Sequence, residues 1–148
     1  MSLHDIAVYS RDDRQVLVVE IRSSIASEPE QLERVRQALM DDTASQSAQF
    51  LLLAQRNGLF LWKGSAVRGA KAEVASVKSV LRDYAESVPD REETLRKPGL
   101  EIIIYSWFDD LAFGIRKPKP ESEADQLLVT AGVYDLIRSG RVVMEHVQ

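Results

Sequence analysis

Residues 5–22 read DIAVYSRDDRQVLVVEIR. Asp5 to Ser10 and Gln15 to Arg22 are β-branched-rich runs on either side of the polar stretch Arg11-Asp12-Asp13-Arg14. Two such runs joined so tightly predict an antiparallel hairpin. A two-residue turn centred on Asp12-Asp13 makes opposed positions sum to 25, so Tyr9 faces Val16, Ala7 faces Val18 and Asp5 faces Glu20. A bulge of one residue would break that register. Side chains alternate along a strand, which puts Glu20 and Arg22 on the face of Asp5. Like charges directly opposed across a ladder are destabilising. Two acids at the end of an apolar hairpin therefore require a counter-charge, either a divalent cation or the neighbouring Arg22.

The segments beyond the hairpin predict alternating helices and strands. Ser27 and Glu30 have capping-box spacing, Pro29 falls in a first helical turn, and Leu32, Val35 and Leu39 form an apolar stripe. Gln49 to Ala54 (QFLLLA) is a strand apolar enough to be buried on both faces. The turn Gln55-Arg56-Asn57-Gly58 returns it as Leu59 to Lys63. A long helix is expected over Ala70 to Val88, ended by Pro89. Leu100 to Phe108 (LEIIIYSWF) is expected as a central strand, Ile115 to Glu121 as a basic loop, and Glu123 to Ser139 as a helix capped by Gly140. Val142 to Val147 closes the sheet as a short edge strand. The expected order is β-β-α-β-β-α-β-α-(β), an α/β (α+β) domain with a mixed central sheet flanked by helices.

Length and composition agree with one domain over residues 1–148. The chain has 19 Lys and Arg against 23 Asp and Glu, so no global charge draws it to nucleic acid. It has no cysteine, which excludes thiolate metal sites, disulfides and a cysteine nucleophile. Two histidines, His4 and His146, leave little room for a histidine-rich metal centre. No apolar run approaches the ~20 residues of a membrane span and no secretory signal pattern is present, so a cytoplasmic protein is expected. Nucleophile elbows and phosphate-cradling glycine loops are also absent.

Asp, a hairpin, then Glu-x-Lys is the motif of the PD-(D/E)xK, or restriction-endonuclease-like, nuclease superfamily, and HDIAVYSRDDRQVLVVEIRSS resembles it. Asp5 stands at the Asp position, Glu20 at the acid position and Arg22 at the lysine position. The following helix, LLLA strand and LFLW return match the family's order of elements. More loosely, the chain resembles uncharacterised bacterial members of that superfamily. The resemblance implies a Mg²⁺- or Mn²⁺-dependent phosphodiesterase acting on DNA. It makes Asp5, Glu20 and the carbonyl of Ile21 the metal ligands, an oxygen set suited to a hard cation. Arg22 departs from the pattern: an arginine stays protonated and orients a phosphate or water instead of acting as a base. His4 replaces the family's proline. Only four residues precede Asp5, where the family often carries a helix with a further acid. The alternative expectation is a catalytically silent nuclease-like module serving a protein partner or a second copy of itself.

Other residues carry a functional and a structural reading side by side. Arg68, Lys71, Lys78 and Arg82 fall together on the expected second helix, either as a phosphate-contacting ridge or as a solvated basic face. Arg116, Lys117 and Lys119 have the same two readings. Trp62 and Trp107 are either base-stacking platforms or core. Tyr84 falls on an apolar stripe, Lys63 is a second candidate for the missing lysine, and Gln55 is a turn residue or a polar accessory to the site.

Overall fold

A sheet made of strongly apolar strands needs cover on both faces, and here helices supply it. The computed structural model describes residues 4–23, 25–41, 47–64, 70–87 and 96–145. The strands are β1 (Ile6–Tyr9), β2 (Gln15–Arg22), β3 (Phe50–Gln55), β4 (Gly58–Lys63), β5 (Glu73–Ala75) and β6 (Arg141–Met144). The helices are α1 (Pro29–Asp41), α2 (Lys78–Asp83), α3 (Lys97–Phe113), α4 (Glu123–Ala131) and α5 (Val133–Ile137), with a 3₁₀ turn at Ala85–Ser87. The six strands lie in the order β5-β4-β3-β2-β1-β6. Only β2 and β3 run parallel, joined through α1; the remaining neighbours are antiparallel. The mixed sheet flanked by helices is therefore as expected, and β3 is buried at every position.

Alternation along the strands divides the interior in two. Ile6, Leu17, Val19, Ile21, Leu52 and Leu61 pack with α3, α4 and α5. Ala7, Val18, Leu51, Leu53 and Trp62 pack on the other face with Val35 and Leu39 of α1. Helix α1 starts one residue away from the expected capping box. The Gln31 side chain, not Glu30, accepts from the backbone N–H groups of Ser27 (3.1 Å) and Glu28 (3.2 Å).

The hairpin register holds for a reason the sequence did not show. The connection is a three-residue loop, Arg11 to Asp13, closed by Ser10 N–H donating to the Arg14 carbonyl at 2.8 Å. Asp13 adopts φ 66°, the left-handed residue of a three-residue hairpin. That loop pairs Tyr9 with Gln15 instead of Val16. A bulge between Val8 and Tyr9 then returns the ladder to Val8–Leu17, Ala7–Val18 and Ile6–Val19. Loop and bulge each shift the ladder by one residue, and the shifts cancel.

Two expected elements are corrected. Leu100 to Phe108 is not a central strand; it lies inside the 17-residue helix α3. Leu100, Ile103, Ile104, Trp107, Phe108 and Leu111 are its buried side, at helical spacing. Pro98 sits in the first turn, where a missing N–H is tolerated, and Gly114 ends the helix at φ 82°. The expected helix over Ala70 to Val88 is instead β5, the six-residue α2 and the 3₁₀ turn; Val88 lies outside the described residues. Glu123 to Ser139 is likewise broken, because Gly132 adopts φ 86° between α4 and α5. The observed order is therefore β-β-α-β-β-β-α-α-α-α-β. Strand β6 forms the edge beside β1, as expected of the C-terminal strand, although it ends at Met144.

Candidate active site

Asp5 stands immediately before β1, where the ladder with β2 stops. Its N–H donates to the Val19 carbonyl at 2.7 Å, and its own carbonyl accepts from Glu145 N–H at 2.8 Å. Opposite it, the Ile21 N–H has passed the end of β1 and would lack a strand partner. The Asp5 carboxylate accepts it at 2.7 Å through Oδ2. The acid thus continues the ladder with its side chain, which fixes the carboxylate beside Glu20. Both acids are almost wholly buried, with 3% of Asp5 and 7% of Glu20 exposed.

Each buried acid meets a cation. Arg22 donates through Nε to Glu20 Oε2 at 2.7 Å. Lys97 Nζ lies 3.1 Å from Asp5 Oδ1. Burial pushes the Glu20 carboxyl above the ordinary range; Arg22 opposes the shift and the charge of Asp5 adds to it. The four side chains form one electrostatic unit, since Lys97 also acts on Glu20. Lys97 is the first residue of α3, the helix that covers the opposite face of the sheet. It reaches the acids around the end of the strands.

The sequence thus placed Asp5, Glu20 and Arg22 together and missed Lys97. The signal was available in the helical spacing of α3, but reading that segment as a strand moved Lys97 away from the acids. Lys63 does not take the part. It pairs with Phe50 at the opposite end of β3 from Gln55, whereas Glu20 pairs near the Gln55 end. Gln55 is a buried strand residue. Its Oε1 accepts from Ala26 N–H at 2.7 Å and its Nε2 donates to the Ala26 carbonyl at 2.9 Å, clamping the chain just after β2.

The remaining candidates separate from the site. Lys78 and Arg82 lie on α2, Lys71 precedes β5, and Arg68 falls outside the described residues, so no single helix carries the expected basic ridge. Trp62 and Trp107 are buried and offer no stacking face. Arg116 is buried in a charged network: Nε donates to Asp125 at 3.0 Å and Nη1 to Asp83 at 3.0 Å. Its Nη2 lies 2.9 Å from Asp125 Oδ2 without hydrogen-bond alignment. Trp107 Nε1 donates to the same Asp125 at 2.8 Å, and Lys119 Nζ to Asp83 at 2.9 Å. Tyr84 donates its hydroxyl to Asp110 at 2.8 Å beneath the Arg116 guanidinium. This network ties α2, α3 and α4 together. It accounts for Arg116, Lys119 and Tyr84 structurally.

No family model, curated protein or solved structure matches the chain.

Whether a divalent cation suits the site is decided by its donors. Among the described residues no group of three or more His, Cys, Asp or Glu side chains is arranged to hold a metal ion. Asp5 and Glu20 offer two hard carboxylates. That matches Mg²⁺, which keeps several waters and takes one or two carboxylates together with substrate phosphate. Lys97 occupies Asp5 Oδ1, so a cation bound there competes with the ammonium. Also among the described residues, no helix is long and apolar enough to cross a membrane.

Proposed function

We propose that this chain is a Mg²⁺- or Mn²⁺-dependent phosphodiesterase acting on DNA, built on a restriction-endonuclease-like plan. The observation that carries the reading is the pair of buried carboxylates at the open end of the β1–β2 hairpin, each in contact with a cation. Burying like charges side by side lowers stability, and such arrangements cluster at functional sites. The order β1-β2-α1-β3-β4, with β2 and β3 parallel, is the order the Asp-hairpin-Glu motif leads one to expect.

Hydrolysis of a phosphodiester forms one P–O bond to water and breaks one P–O ester bond. The site must hold water, orient the phosphate and offset growing negative charge. Asp5, Glu20 and the carbonyl of Ile21 would hold the metal, which would supply Lewis-acid stabilisation and a more acidic water when bound. The Lys97 ammonium donates hydrogen bonds to the attacking water and to the phosphate. Arg22, braced by Glu20, presents its guanidinium to a non-bridging oxygen, a planar fork suited to phosphate. Lys97 thereby brings to the site the ammonium that the motif's lysine position, here Arg22, lacks.

A second reading is a silent module of the same fold that binds a protein partner or a second copy. It is favoured by the ion pairs themselves, since Lys97 and Arg22 already balance both acids without a metal. The strongly exposed Phe113 and Ile115 give such a partner apolar surface. Calorimetric titration of Mn²⁺ into wild type and Asp5→Asn, with plasmid cleavage on the same samples, separates the two. Binding and cleavage that both vanish in the variant support the nuclease. A wild type that neither binds Mn²⁺ nor cuts plasmid supports the silent module.

A further inference from the structure

Beside the acid pair, on the α1 face of the sheet, lies a cavity of about 290 Å³ lined by Arg22, Ile25, Ala26, Gln31, Arg34 and Val35. Among the described residues its lining contains two guanidinium groups and no carboxylate. Ala26 and Val35 are buried apolar side chains. Among the described residues Arg22 is bonded only through Nε, and Arg34, exposed on α1, forms no ion pair. A guanidinium has five N–H donors, so most of this capacity is uncommitted. The start of α1 is not the source of attraction, since Gln31 already accepts from the N–H groups of Ser27 and Glu28.

We propose that this cavity holds a backbone phosphate of a nucleic-acid strand, between Arg22 and Arg34. The inference rests on the phosphodiesterase reading and extends it. Arg22 is shared, because the guanidinium braced by Glu20 also lines the cavity. A strand whose scissile phosphate lies at Asp5 and Glu20 would place an adjacent phosphate against Arg34. The chain thus gains affinity for a polyanion from a local pair of arginines despite its net charge of −4. It also gains a direction, since the second phosphate is held on the α1 side alone.

The test is binding of a short DNA duplex in EDTA across a salt series, for wild type, Arg34→Ala and Arg11→Ala. Arg11 is exposed in the hairpin loop, at the far end of β1 and β2 from the acids, and controls for the loss of one positive charge. Arg34→Ala should weaken binding about tenfold and lower the slope of log K against log salt by about one. Arg11→Ala should stay within about twofold of wild type. The Mn²⁺ affinity of Arg34→Ala should equal that of wild type. Duplex binding unchanged in Arg34→Ala, or reduced equally in Arg11→Ala, overturns the pocket. Arg34-dependent binding of poly-glutamate without duplex binding also overturns it, in favour of an acidic protein partner. Failure of the nuclease reading looks different: wild type then neither binds Mn²⁺ nor cleaves, while the Arg34 dependence of duplex binding persists.

Discussion

Lys97 Nζ approaches Asp5 Oδ1 to 3.1 Å, joining the first turn of α3 to the residue that opens β1. The contact brings an ammonium to the acid pair from a helix on the other side of the sheet. It also holds the position a divalent cation would take on Asp5. On the proposed reading, ammonium and metal would compete for one carboxylate oxygen, with a measurable outcome. Lys97→Ala should bind Mn²⁺ at least as tightly as wild type in calorimetry, yet lose plasmid cleavage by about 10²-fold or more, the scale for removing one charge-stabilising donor. Weaker Mn²⁺ binding in Lys97→Ala would show that Lys97 supports the metal site instead of competing with it.

The buried Glu20 carboxylate weakens folding. Because its carboxyl titrates above the ordinary value of 4.5, the folded state resists its ionisation. That penalty is absent in acid, where Glu20 is protonated in both states, and grows as pH rises past 4.5 until the folded group has also ionised. Glu20→Gln keeps an acceptor for Arg22 Nε and removes the charge. Its Tm at neutral pH should be equal to or a few degrees above wild type, while Mn²⁺ binding is lost. A large fall in Tm would mean that the Arg22–Glu20 ion pair outweighs the cost of burial.

Asp125 is fully buried and serves Trp107, Arg116 and the Lys119 N–H at once. Among the described residues, Asp125→Ala would leave the buried Arg116 guanidinium with Asp83 as its remaining carboxylate partner. The expected loss is about 3–5 kcal/mol in urea unfolding, the scale for breaking a buried charged pair. Asp125→Asn keeps acceptors for two of the donors and should cost less.

Acid should unfold the protein partly through Asp83. Burial alone would raise this carboxyl, but hydrogen bonds from Lys119, Arg116 and Arg82 bring it down to about 2 from 3.8. A lowered acid contributes stability that is complete above 3.8 and is lost as pH falls toward about 2. Asp83→Asn should therefore flatten the acid limb of a Tm-versus-pH curve over that window and leave its slope above pH 5 unchanged.

The hairpin and the parallel β2-α1-β3 unit were legible because their signals are local. Alternation, a polar turn and an Asn-Gly return each act within a few residues, and the nearness of Asp5 to Glu20 followed from them. The bulge at Val8/Tyr9 was not legible, since nothing in Val16 distinguishes a bulged residue from a paired one. Helix α3 was misread because an apolar run of this kind satisfies strand and helix patterns together. The spacing of Leu100, Ile103, Ile104, Trp107 and Leu111 would have decided it, had Pro98 been taken as a helix start. That one choice also hid Lys97. The charged network of Arg116, Asp125 and Asp83 depends on three elements meeting in space, which no local pattern records.

Strand β6 meets β1 along Ile6–Met144 to Tyr9–Arg141, and the Asp5 carbonyl is bonded to Glu145 N–H. The strand that carries the first acid is thus braced by residues translated more than a hundred positions later. Lys97 likewise comes from the later part of the chain. During synthesis the β1–β2 hairpin can form early, but Asp5 is neither anchored by Glu145 nor met by Lys97 until those residues have left the ribosome. Pairings of such long sequence separation form late and slowly. A chain still being made therefore holds both acids without the frame that aligns them, and the acid pair is assembled only when the sheet is closed.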